Sequence, residues 1–148
     1  MQLRSECSFV VNVVAEDSLA LAVQKDHPLA TRSSVRLDEL SKERFIVREP
    51  ESASRALTEK RVFQKCPDWR FRLQINHIDA IKSSLEEGLG ISFISKRAID
   101  RELQSGTLAM VPVDGVDLRR PICMLTNAHQ FGSKIAIRLA KHIANHAL

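Results

Sequence analysis

The sequence predicts an α/β fold with a mixed, mostly parallel sheet, because short apolar runs alternate with amphipathic helical segments along the chain. Residues 71–75 alternate apolar and polar side chains with period two, as a strand with one buried face does. Directly after them, apolar residues recur every three or four positions, as on a helix with one buried face: Ile78, Ile81, Leu85 and Leu89.

The N-terminal half is predicted to hold three strands and two helical segments. Residues 9–14 and 19–23 are apolar runs divided by the polar residues 16–18, which predicts two strands with a joint between them. Pro28 disfavours helical geometry at the residue before it, so a loop follows. The later elements are a helical turn at 37–40, a buried strand at 45–47 that Pro50 ends, and a helix from Ser52 or Ser54 to Pro67.

The stretch EEGLGISFISK, residues 86–96, joins a charged helical segment to an apolar strand. Gly88 falls where helices commonly end in a left-handed residue. Gly90 either begins the next strand or, because it lacks a Cβ, lets the backbone approach a bound molecule. The remaining predicted elements are a strand at 91–94, a helix at 98–103, strands at 108–113 and 121–125, and a helix with Ile135, Leu139 and Ile143 on one face.

Length and composition are those of one soluble globular domain. The chain has 148 residues, 44% of them hydrophobic and 27% charged. No apolar run approaches the roughly 20 residues of a membrane helix. Asn12 interrupts the apolar stretch near the start and no cleavage site follows, so we expect a cytoplasmic protein without a membrane partner. The three cysteines are odd in number and far apart, which indicates neither a disulfide framework nor a zinc ribbon.

Charge and motifs argue for a binding module. Lys and Arg number 22 against 18 Asp and Glu, a balance that permits an anionic partner. The basic residues are scattered, with one Trp and no Tyr, so we do not expect this chain to bind DNA directly. It has no phosphate loop, dinucleotide fingerprint, nucleophile elbow or H-E-x-x-H. We therefore predict no enzyme activity, cofactor or metal.

Two junctions between a strand and a helix carry the polar residues of a candidate site. Arg48 follows the strand at 45–47 and precedes the helix that begins near Ser52 and Ser54, while Asn76 and His77 follow the strand at 71–75. Ligands of open α/β sheets bind beyond the carboxyl ends of strands, where helix N-termini favour anions. If the two strands are neighbours, both junctions open onto one cleft suited to a small anion. The alternative is that the serines and Asn76 are only helix caps.

Several stretches together resemble the C-terminal effector-binding domain of LysR-type transcriptional regulators. No single stretch is specific, but their order and spacing are. They are LALAVQKDHPLATRSSVRLDEL at 19–40, FIVREPESASR at 45–55, LQINHIDAIKSSLEEGLGISFISKRAI at 73–99 and ELQSGTLAMVPVDG at 102–115.

The resemblance implies Rossmann-like subdomains of the periplasmic-binding-protein type, with the first subdomain incomplete. Residues 1–18 and 119–148 would form part of the first effector-binding subdomain, and residues 19–118 the second. The strands at 17–23 and 119–125 would be the two crossovers between them. The winged helix-turn-helix domain of such regulators has no counterpart here, so DNA binding would belong to that absent domain.

The function that the resemblance implies is ligand sensing. A small metabolite, expected to be an organic or inorganic anion, would control DNA binding and transcription by the full-length protein, which would form a homodimer. The alternatives are a dimerisation module without an effector, a stand-alone solute-binding protein and a small enzyme. The effector-binding residues that the resemblance implies are Arg48, Ser52, Ser54, Asn76, His77 and Gly90.

Overall fold

The computed structural model describes residues 9–65, 69–127 and 134–145. Strands and helices alternate after a long first strand, as the apolar pattern predicts. The strands are β1 (Phe9–Gln24), β2 (Arg44–Val47), β3 (Arg70–Gln74), β4 (Ser92–Ser95), β5 (Leu108–Val111) and β6 (Arg119–Asn127). The α helices are α1 (Ala53–Arg61), α2 (Ile78–Glu86), α3 (Asp100–Ser105) and α4 (Lys134–Asn145), and short 3-10 helices span Leu37–Lys42, Phe63–Lys65 and Lys96–Ile99.

The chain divides into two compact units, residues 18–119 and residues 1–17 with 120–148. In the larger unit, β1 pairs antiparallel with both β4 and β5, and β2 pairs parallel with β3. A parallel bridge between Phe45 and Ile91 joins β2 to the segment that leads into β4. Strands β2 to β5 therefore run in one direction and β1 in the other. The sheet is mixed, as predicted, but both ladders that β1 forms with β4 and β5 are antiparallel.

The predicted joint at residues 16–18 is wrong, because β1 continues through it. Asp17 is buried there, and its Oδ2 accepts hydrogen bonds from Nε and Nη2 of Arg120 at 2.9 and 2.7 Å. A buried carboxylate is costly unless it is paired. Since the guanidinium of Arg120, in β6, supplies that partner, the polar residues do not break the strand.

Two predicted helix boundaries need correction. Helix α1 ends at Arg61, short of the predicted end at Pro67, because Val62 leaves helical geometry and enters the core; Pro67 itself lies outside the described residues. Helix α2 ends at Glu86, so Leu89 is not on its apolar face and is 46% exposed.

Gly88 ends α2 as predicted. Its φ of 67° is left-handed, its N–H donates to the carbonyl of Leu85, and the N–H of Leu89 donates to the carbonyl of Ser84. This pair of bonds is the Schellman arrangement that closes helices.

The sheet of the larger unit separates two apolar cores. Phe45 and Val47 pack in one core and Ile46 in the other, as expected when successive strand residues point to opposite faces. Phe45 is central to the first core, where its ring contacts the rings of Phe63, Trp69 and Phe93. Ile81 and Leu85 of α2 cover the opposite face.

Gly90 sits where the chain passes closest to β2. A Cβ at this position would overlap the carbonyl oxygen of Arg44 and lie 3.2 Å from Cγ1 of Ile46. The N–H of Ile91 donates to that same carbonyl at 2.9 Å. The glycine is therefore required by the approach of two backbone segments.

Several apolar side chains of the smaller unit are exposed to solvent. Helix α4 has a regular apolar stripe, and all three of its members are exposed: Ile135, Leu139 and Ile143.

Among the residues that the structure describes, no helix is long and apolar enough to cross a bilayer.

We expect Gly90→Ala to lower the free energy of unfolding by about 2 kcal/mol or more, because the backbone of Arg44 cannot yield as a flexible side chain could. The matched control is Gly115→Ala, where the added Cβ meets open space and only the φ of 69° is unfavourable, at about 1 kcal/mol. Urea unfolding of both variants measures the difference. Equal losses would contradict the packing explanation for Gly90.

Candidate functional site

The parallel pairing of β2 with β3 brings the two predicted junctions to one edge of the sheet. The N–H of Ile75 donates to the carbonyl of Val47 at 2.9 Å, which extends the pairing to the ends of both strands. Helix α1 begins at Ala53, after the five-residue loop 48–52, and α2 begins at Ile78, after the three-residue loop 75–77. The candidate residues of the two loops therefore share one region of the larger unit.

Arg48 does not project freely into this region, because it pairs with its neighbour Glu49. Nε and Nη2 of the guanidinium donate to the two carboxylate oxygens at 2.9 and 2.7 Å. These hydrogen bonds, with smaller contributions that include the imidazole of His77, lower the pKa of Glu49 to about 2. Glu49 is therefore ionised at neutral pH, and His77 lies within electrostatic reach of it.

Arg55, in the first turn of α1, connects the loop after β2 to the end of β3. Its Nη1 donates to the carbonyl of Arg48 and to Oε1 of Gln74, each at 2.9 Å, and its Nε donates to Glu59 at 2.7 Å. Sequence reasoning did not single out Arg55. A cation near the start of a helix was the one local sign that Arg55 could contribute to the site. The sequence could not show its contact with Gln74, because that residue of β3 is 19 positions away.

Ser52 and Ser54 occupy different positions at the start of α1. Ser52 is the N-cap residue, as predicted, but its side chain makes no capping hydrogen bond. Its hydroxyl has no hydrogen-bond partner among the described residues, although the residue is only 9% exposed. Ser54 lies in the first turn, where its carbonyl accepts a hydrogen bond from the Thr58 hydroxyl at 2.9 Å. The Ser52 hydroxyl is thus available to a bound molecule.

Asn76 and His77 are both exposed at the start of α2. The N-cap residue is His77, so the interpretation of Asn76 as the cap is wrong. The backbone of His77 is extended, and its carbonyl accepts the N–H of Ile81 at 3.1 Å. The cap is one residue later than predicted, and Asn76 is left exposed before it.

Gly90 is not brought together with the other five candidates. It contacts Arg44 at the start of β2, whereas Arg48 follows the end of that strand. The close approach proposed for Gly90 exists, but its partner is protein backbone.

The larger unit also has a concavity away from these two loops. A concavity of about 310 Å³ lies over β1 and β5, with Leu19, Leu21, Val111 and Val113 among its apolar walls and Lys96 at its polar part. Within residues 9–65, 69–127 and 134–145, no group of three or more His, Cys, Asp or Glu could hold a metal ion.

Comparison with known proteins agrees with the fold and indicates the family. The family model described as LysR substrate binding domain matches residues 4–148. A probable RuBisCO transcriptional regulator of Trichormus variabilis is 33% identical over 132 residues, which cover 87% of this chain and 39% of that protein. The chain spans about two fifths of the length of the curated relatives that it matches.

Solved structures share the fold over nearly the whole chain. The CcmR regulatory domain of Synechocystis PCC6803, solved in complex with 2-PG, superposes with a TM-score of 0.86 at 24% identity, covering 99% of this chain and 70% of that one. The effector-binding domain of QuiR, in complex with shikimate, gives a TM-score of 0.81 at 16% identity, with 99% and 68% covered. The mixed α/β fold is that of LysR regulatory domains.

We expect Arg48→Ala to raise the pKa of Glu49 from about 2 toward its ordinary value of 4.5, because the hydrogen bonds from Arg48 are the largest cause of the shift. The pKa is lowered on folding, so the stability that the pair contributes is complete above pH 4.5 and is lost as the pH falls toward 2. The carboxyl carbon shift of Glu49, followed by NMR from pH 7 to pH 4, checks this.

In the wild type the Glu49 signal should remain that of a carboxylate at pH 4, and in Arg48→Ala it should have moved toward the acid. Arg32→Ala, which removes an arginine paired with Glu39, is the matched control and should leave Glu49 unchanged. The same Glu49 titration in all three proteins would contradict the assigned cause.

Proposed function

We propose that this chain, which belongs to the LysR substrate binding domain family, senses a small anionic metabolite at the ends of β2 and β3. Through this effector it would control DNA binding and transcription by the full-length protein. The observation that carries the proposal is the convergence of the loops after β2 and β3, which places Arg48, Ser52 and His77 in one region.

The chemistry of this region suits an anion. The N-terminus of α1 lies in this region, and the positive end of a helix dipole favours an anion. Arg48 adds a guanidinium, Ser52 a hydroxyl without a hydrogen-bond partner among the described residues, and His77 an imidazole. Asn76 and Ser54 flank these groups on the two loops. We assign the effector contacts to these five residues and leave Gly90 out, because Arg44 accounts for it.

The ligands of two solved structures with this fold support an anionic effector. 2-PG, which is 2-phosphoglycolate, and shikimate each carry at least one acidic group that is ionised at neutral pH. These two proteins are less than 25% identical to this chain, so they support the class of ligand and leave its identity to experiment.

Regulation would work by population shift. The curated relatives are named as transcriptional regulators and extend well beyond the matched region. DNA binding would therefore come from another part of the full-length protein, which would be a cytoplasmic homodimer. An effector moves a conformational equilibrium only by its difference in affinity for the two states. The unit 18–119 would be the second effector-binding subdomain, and the unit 1–17 with 120–148 would be the partial first one. Strands β1 and β6 connect the two units along the chain and would transmit the conformational change.

The experiment is a thermal-unfolding screen of the chain against inorganic phosphate, 2-phosphoglycolate and shikimate at fixed ionic strength. A ligand at a hundred times its Kd adds about 2.7 kcal/mol to the free energy of unfolding. We expect a saturable rise in Tm that Asn76→Ala reduces, because the exposed side chain is free to contact the ligand without supporting the fold.

Asn12→Ala is the matched control, since it removes the same side chain from an exposed position in β1 and should leave the response intact. Equal responses in both variants would remove Asn76 from the site. Absence of any saturable response would contradict effector binding by this chain and favour a dimerisation module, which analytical ultracentrifugation would then detect.

A further inference from the structure

We propose that the carboxylate of Glu49 is an internal competitor for the anion site, which an effector must displace from the guanidinium of Arg48. The inference rests on the proposed function and names the regulation and ligand class of the same site. Its basis is the Arg48–Glu49 pair, which uses both Nε and Nη2 of the guanidinium. That edge is the one that forms two parallel hydrogen bonds to a carboxylate or a phosphate.

The pair has no evident part in holding the fold together. Among the described residues, the guanidinium of Arg48 donates only to Glu49, and the Glu49 carboxylate accepts no hydrogen bond from the side chain of another element. Other charged groups do connect distant elements, as Arg120 does with Asp17 and Lys82 with Glu102. A surface pair between sequence neighbours contributes little stability.

The position of the Arg48–Glu49 pair lets it lower the affinity of the site for an anion. About a quarter of each side chain is exposed, so a solute can reach the contact. Glu49 offsets the charge of Arg48 beside the start of α1, where an anion would bind. While the pair is closed, only the fraction of molecules with an open Arg48 is competent to bind, and the apparent affinity falls by that fraction.

Competition from Glu49 would make the affinity of the site depend on the charge of the ligand. A monocarboxylate offers Arg48 only what Glu49 already provides at the high effective concentration of an attached group. A dianionic oxyanion such as a phosphate group brings more charge and a third oxygen, for which the Ser52 hydroxyl is available. The site is therefore selective for dianionic oxyanions over monocarboxylates.

Isothermal titration calorimetry with inorganic phosphate and with acetate tests this at pH 8, where phosphate is mainly the dianion, and at fixed ionic strength. We expect the wild type to bind phosphate and to show no saturable binding of acetate. Glu49→Gln keeps the shape of the side chain and removes the competing charge. It should raise phosphate affinity about fivefold or more and make acetate binding measurable.

Glu51→Gln is the matched control, because it removes the same charge from an exposed residue of the same loop without freeing Arg48. An equal gain in both variants would overturn the proposal, since the effect would then be general charge. Arg48→Ala should weaken phosphate binding and abolish any acetate binding. If Arg48→Ala weakens phosphate binding but Glu49→Gln changes nothing, the competitor is overturned while the anion site stands. Absence of phosphate binding in the wild type and in Glu49→Gln alike would overturn both.

Discussion

The parallel pairing of β2 with β3 is the constraint on which the candidate site depends. Both strands end at the same edge, and the bond from the N–H of Ile75 to the carbonyl of Val47 keeps them in register there. Each strand is followed at once by a polar loop and a helix start, so the register places two sets of polar groups side by side. Arg55 reinforces the arrangement, since it donates to Arg48 in one loop and to Gln74 at the end of the other strand. The position of the site thus follows from backbone pairing, and its chemistry from the loop residues.

The two units differ in how they are stabilised. Both apolar cores that the structure describes belong to residues 18–119, where the sheet separates them and where the site lies. In the other unit, the described part of the chain has the pairing of β6 with β1 and the contact between Asp17 and Arg120, while the apolar stripe of α4 is exposed. A ligand site is best built on the part with the larger core, because packing holds its backbone in place.

Local signals in the sequence predicted most elements of the fold but not the contacts between them. The alternation of apolar residues located β3 and α2, and Gly88 marked the end of that helix because a left-handed residue is a local requirement. Gly90 could not be interpreted in the same way, since the atom that excludes a Cβ there belongs to Arg44, which is distant in sequence. The polar positions after the two strands were identified from the general behaviour of α/β sheets. The pairing of Arg48 with Glu49 and the bridging role of Arg55 depend on side-chain geometry, which no spacing pattern encodes.

The most direct test of the central claim, that the ends of β2 and β3 form an anion site, is a chemical-shift map of backbone amides during titration with inorganic phosphate. We expect saturable shifts concentrated at residues 48–55 and 75–78, because the loops and the first turn of α1 would contact the anion. Saturable shifts confined to the concavity over β1 and β5, around Lys96 and Val113, would contradict it. So would shifts that grow with concentration without saturating, since they would indicate only a general response to salt.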